Sequence, residues 1–128
     1  MAHEHKGFLP LQCTIDGYAQ GGFHFADMSH KGSLLVLPSG VYAWEPTEAA
    51  SITPDNLALL FALPQGDVDL LIVGTGRTLN ILPSATRAAL AEHGIRHEPM
   101  ATALAISTYN IVFGEGRRVA AALLAVPL

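Results

Sequence analysis

Residues 69–76 read Asp69-Leu70-Leu71-Ile72-Val73-Gly74-Thr75-Gly76. An unbroken apolar run after Asp69 leaves no polar side, so a strand covered on both faces is expected here, as in the middle of an α/β sheet. The run passes directly into Gly74-Thr75-Gly76, at the carboxyl end of a central strand, where open α/β sheets bind ligands. Backbone amides there would cradle an anion beside Arg77. A tight turn needing glycine twice explains the same residues without a ligand. No third glycine and no immediate helix follow, and no Gly-Lys-Ser/Thr occurs, so neither a dinucleotide fingerprint nor a phosphate-binding P-loop is present.

Downstream, Pro83 to His93 is expected to be a helix with Leu90 and its alanines inward and Gly94 as a left-handed stop. Ile95 to Glu98 reads as a brief strand. Thr102 is expected to cap a third helix that reaches about Phe113, ended by Gly114-Glu115-Gly116. Arg117 to Val126 is rich in Ala and Leu, which favour helix. Its length, boundary glycines and Pro127 favour a buried strand, and that is the reading taken. Upstream, Cys13 to Tyr18 reads as a short strand stopped by Gly21-Gly22. Phe23 and Phe25 alternate with His24 in an extended segment. Ser33 to Leu37, the turn Pro38-Ser39-Gly40 and Val41 to Trp44 read as a β-hairpin or a bent pair of strands. Thr53-Pro54-Asp55 carries a hydroxyl cap, a first-position proline and an early carboxylate, so it opens a helix with Leu57, Leu60, Phe61 and Leu63 as its inner stripe. Pro64-Gln65-Gly66 breaks it.

This order predicts an α/β fold. It is a single three-layer domain over residues 13–128 with a central mixed β-sheet, a β-hairpin-rich N-terminal part and about three helices. Residues 1–12 lack periodicity and are expected to form a mobile arm. The chain has 128 residues, 7 Lys plus Arg against 11 Asp plus Glu, a net charge of −4, and 50% hydrophobic but only 14% charged residues. That balance excludes a disordered chain and provides no basic stripe for nucleic acid. No apolar run approaches the ~18–20 residues of a membrane span, and no leader pattern is read at the amino terminus. The expected location is the cytoplasm, with peripheral contact at the inner membrane left open.

Candidates for chemistry are few. The single cysteine, Cys13, reads as a small apolar side chain rather than a catalytic thiol. His3 and His5 lack further ligands, and His93 and His97 are separated by Gly94, so neither a metal nor any cofactor is expected. Two polar groups stand out. One is Gly74, Thr75, Gly76 and Arg77; the other is Tyr109, Asn110, Glu115 and Arg117. If they face each other, they form a small-molecule or anion pocket. As partner-contact candidates the sequence offers Phe23, Phe25, Tyr42 and Trp44, with Phe8 and Leu9 in the arm.

Taken in order, the pieces Ile15-Asp16-Gly17-Tyr18, Gly32 through Pro38, Leu70 through Gly76, Glu98 through Thr102, Thr108-Tyr109-Asn110 and Glu115 through Leu124 resemble one family. It is the small domain family that includes mitochondrial respiratory complex I assembly factor 3 and uncharacterised bacterial and archaeal homologues. The resemblance spans about residues 13 to 126. It implies a three-layer α/β fold and, in the mitochondrial members, a non-catalytic role in building complex I by contact with respiratory-complex assembly intermediates. The chain looks like a prokaryotic member. Two functions follow as expectations: a non-catalytic protein-interaction or assembly module, which is favoured and allows self-association, and a small-molecule or anion-binding protein or enzyme using the Gly74-Thr75-Gly76 loop.

Overall fold

A computed structural model describes residues 3–4, 7–19 and 21–126. Its strands in the N-terminal part are β1 (His3–Glu4), β2 (Phe8–Leu9), β3 (Gly17–Ala19), β4 (Gly22–Phe25), β5 (Met28–Lys31), β6 (Ser33–Leu37) and β7 (Gly40–Trp44). Then follow α1 (Ala58–Phe61), β8 (Leu70–Gly74), α2 (Ser84–Glu92), β9 (Arg96–Met100), α3 (Thr102–Gly114) and β10 (Val119–Leu123). Six strands form the central sheet in the order β2-β7-β6-β10-β8-β9. β10, β8 and β9 run parallel, and β6, β7 and β2 join antiparallel, so the sheet is mixed.

Residues Leu70–Gly74 form the expected strand covered on both faces. Leu70 and Ile72 pack with α3 and the small sheet, whereas Leu71 and Val73 pack with Leu60, Leu90 and Trp44 on the opposite face. β10 alternates in the same way, Val119 and Ala121 on one side and Ala120 and Ala122 on the other. Each parallel crossover therefore covers one face: α2 between β8 and β9, α3 between β9 and β10. The second sheet, β1-β5-β4-β3, lies beside α3 and completes that layer. This is the expected three-layer α/β architecture.

The departures have local causes. Strand β3 begins at Gly17 rather than Cys13. The backbone of residues 13–15 is bonded by side chains of α3 instead of a neighbouring strand. In the expected arm, Phe8 and Leu9 form an edge strand paired with Tyr42 and Val41, and His3 and Glu4 pair with Met28 and Ser29. His5 of the His-x-His pair lies outside the described residues. Neither threonine expected to cap a helix does so. The turn at Asp55–Leu57 has no side-chain cap; there Asn56 Oδ1 accepts from the Thr53 amide at 3.0 Å. Thr102 is the first residue of α3, and its hydroxyl serves a tertiary contact described below.

Candidate functional site

The two polar groups do not form one pocket. Helix α3 runs back against β8 and β10, so its start lies at the carboxyl ends of those strands and its end at their amino ends. Gly74 pairs with Leu123 and Leu70 with Val119. Arg117, before Val119, is therefore more than four strand residues from Gly74, about 13 Å or more along the sheet. Tyr109 is roughly 10 Å along the helix from Thr102. Glu115 and Arg117 are exposed at the far end.

Each group has a structural account. The Thr75 amide donates to Met100 O at 2.8 Å, and the Gly76 amide donates to Thr102 Oγ1 at 2.9 Å. Both amides that would have held an anion are thereby spent inside the fold. Thr75 Oγ1 bonds Thr78 O and Met100 O and accepts from the Asn80 amide, which shapes the loop. Gly74 permits close approach: a Cβ there would stand 2.9 Å from Thr102 Oγ1 and 3.1 Å from Leu123 Cδ2. Gly76 has φ +96°, in the region that favours glycine. Arg77 is exposed after it.

Tyr109 and Asn110 tie residues 13–15 to the core. Tyr109 is fully buried, donates to Cys13 O at 2.7 Å, and stacks on Phe113 with ring centroids 5.6 Å apart. Burial pushes its phenol well above the ordinary tyrosine range. Asn110 accepts from the Ile15 amide at 2.9 Å and donates to Ile15 O at 2.7 Å. The Cys13 thiol is raised by burial and then by Asp16, which makes it a poor nucleophile.

Of the partner-contact candidates, three are corrected as exposed surface. Phe23 and Phe25 are 1% and 0% exposed, because the small sheet turns both rings onto the α3 side of the core. Trp44 is buried on the other face, its Nε1 donating to Asn56 O at 2.7 Å. Tyr42 is half-buried and packs against Phe8, directly opposite it in the ladder, with ring centroids 5.0 Å apart and the planes tilted by 41°.

Tyr42 also pairs with Leu35, and Leu35 floors a cleft of about 450 Å³ together with Trp44, Ala58 and Leu59. Phe8 is 52% exposed on one side of this surface and Leu59 50% on the other. Glu45 and Asp55 are exposed on the cleft rim. Sequence reasoning named Phe8 and Tyr42 but missed Leu59, which lies within an apolar run between the buried Leu57 and Leu60 and off the face that they share. Among the described residues no three His, Cys, Asp or Glu side chains converge as a metal site, and no helix is long and apolar enough to cross a membrane.

Two histidines give the fold a pH dependence. Burial lowers His30 from 6.5, against an opposing hydrogen bond from its Nε2 to Ser33 O, and burial with nearby Arg87 lowers His97. The unfolded chain then takes up protons at a higher pH than the folded one. Stability is expected to be level well above pH 6.5 and to fall as pH drops below 6.5, until the folded rings protonate as well. Thermal melts from about pH 8 to pH 5 check this, and His30→Gln is expected to flatten part of the decline.

Residues 15–124 match the family described as protein of unknown function (DUF498/DUF598). An uncharacterized protein of Rhodobacter capsulatus is 42% identical over 127 residues, 99% of this chain and 95% of that one. The NADH dehydrogenase [ubiquinone] 1 alpha subcomplex assembly factor 3 of Bos taurus is 33% identical over 92% of this chain, which spans only 64% of that relative's length. A crystal structure described as an outer membrane protein from Bartonella henselae superposes with a TM-score of 0.86 at 38% identity, covering 91% of this chain and 98% of that one. With the family matched over nearly the whole three-layer fold, from Ile15 in the α3 tether to Leu124 at the end of β10, this chain belongs to the DUF498/DUF598 family.

Proposed function

We propose that the protein is a non-catalytic docking module that binds another protein through the Phe8–Tyr42 edge and the adjoining cleft. The carrying observation is the pair of half-exposed apolar groups, Phe8 and Leu59, on either side of a floor made by Leu35 and Trp44. Half-exposed apolar side chains of this kind are unfavourable in water and gain free energy when a partner covers them. The acidic rim at Glu45 and Asp55 selects a partner with an apolar anchor flanked by basic side chains. The assembly-factor name of the relatives directs the proposal to a subunit or intermediate of a respiratory complex. The pocket reading lacks comparable support, because its amides are spent on Met100 and Thr102.

The test is affinity capture from the source cell, followed by reconstitution with the purified candidate subunit. The double variant Phe8→Glu/Leu59→Glu is expected to weaken reconstituted binding at least tenfold while leaving the melt nearly unchanged, since both sites are surface positions. Asp55→Lys is expected to weaken it in a salt-dependent way. Equal binding by wild type and double variant would overturn the proposal.

A further inference from the structure

We infer that two copies of this chain associate through the outward sides of their α3 helices, antiparallel about a twofold axis passing between Ser107 and Thr108. This surface is separate from the docking cleft.

Helix α3 has 13 residues, and none of them is Asp, Glu, Lys, Arg or His. Its inner side, Ala105, Ile106, Tyr109 and Val112, is buried. Its outer side is also apolar: Leu104 is 57% exposed and Ile111 63% exposed. Two turns separate them, so they lie on one line, with Ser107 and Thr108 between. A helix that is apolar on both sides is normally covered on both. Here the solvent side carries no charge to prevent contact with a like surface.

The pattern along that line is self-complementary. Positions 104, 107, 108 and 111 are symmetric about their midpoint. A twofold axis there sets each Leu104 against the Ile111 of the second copy and puts the small Ser107 and Thr108 side chains at the crossing. Small residues at the centre let two helix axes approach within about 8–10 Å. Contact of a patch with itself in this way is what a closed dimer requires.

Charge complementarity at the helix ends favours a second copy over an unrelated partner. The first turn of α3 holds no acidic residue and no side-chain cap, so its positive end lacks a compensating group on its own helix. Glu115 is exposed one turn beyond Ile111. The same twofold axis brings it to the start of the second copy's α3, and does so twice. A single helix pair is at the low end of specific interfaces, below about 1,200 Å² in total, so a micromolar or weaker dimer is expected.

Sedimentation equilibrium on the full chain, from about 1 to about 500 μM, tests this across the expected range. The wild-type mass is expected to rise from 13.5 kDa towards twice that value. Ile111→Glu and Leu104→Glu are each expected to raise the dissociation constant at least tenfold, while Leu59→Glu leaves it unchanged. In a Cys13→Ala background, Ser107→Cys is expected to be joined to itself by a short bis-maleimide, and Ala91→Cys, exposed on α2 across the sheet, is not. A wild type that stays monomeric throughout overturns the inference. So does a dimer indifferent to both α3 charges, or one cross-linked as readily from position 91.

Discussion

Tyr109→Ala is expected to lower the free energy of unfolding by about 3–5 kcal/mol, the range for deleting a buried aromatic ring. The ring is fully buried and stacked on Phe113. Its loss leaves a cavity between α3 and the small sheet, because Ile106 and Val112 are fixed on α3 and Phe23 on β4, and they cannot all collapse into it. The hydroxyl adds a further cost, since Cys13 O loses its donor. Urea denaturation followed by circular dichroism measures the change. Tyr109→Phe separates the two contributions: it keeps the ring and is expected to cost only about 1 kcal/mol, the hydrogen-bond part. If Tyr109→Phe costs as much as Tyr109→Ala, the ring is not the main contributor and this account of the core fails.

Thr102→Val is expected to cost roughly 2–5 kcal/mol although it changes the shape of the side chain very little. The residue is fully buried, and its hydroxyl joins three segments. It donates to Leu124 O at 2.8 Å and accepts from the Gly76 amide at 2.9 Å. Valine removes the buried donor to Leu124 O and the acceptor of the part-buried Gly76 amide, and each group left without its partner costs about 1–3 kcal/mol. Gly74→Ala tests the same junction from the other side, because its new Cβ would meet Thr102 Oγ1 at 2.9 Å. A cost of about 1–3 kcal/mol is expected for it, typical of overpacking. Denaturation midpoints with unchanged slopes would locate the effect in the native state. A near-neutral Thr102→Val would show that the Gly76 and Leu124 groups find other partners.

Much of the fold was legible where the signal is local. The alternation of Leu70 and Ile72 against Leu71 and Val73, the turn between β6 and β7, and Gly94 closing α2 at φ +72° all depend on near neighbours in the chain. The run from Arg117 to Val126 is ambiguous by propensity, its length and bounding glycines point to a strand, and the strand formed is the shorter Val119–Leu123. Residues 13–15 were not legible in this way. Their backbone partners are Tyr109 and Asn110, 95 or 96 positions away, and no periodicity records a hydrogen bond to a distant side chain.

The candidate sites show the same division. Alternation placed Phe23 and Phe25 on one side of a strand, but only the docking of a second sheet against α3 made that the buried side. The Gly74–Arg77 and Tyr109–Arg117 groups make one pocket only if they face each other, and the antiparallel run of α3 separates them along the sheet. By itself, the sequence determined the order of strands and helices from Ser33 onward and that the central strands are covered on both faces, because these follow from the order of apolar and turn residues. Only the tertiary structure decided which outward apolar groups stay in water. Phe8, Leu59, Leu104 and Ile111 remain there because no layer of this chain reaches them, and that depends on how whole elements pack rather than on any residue's own preference.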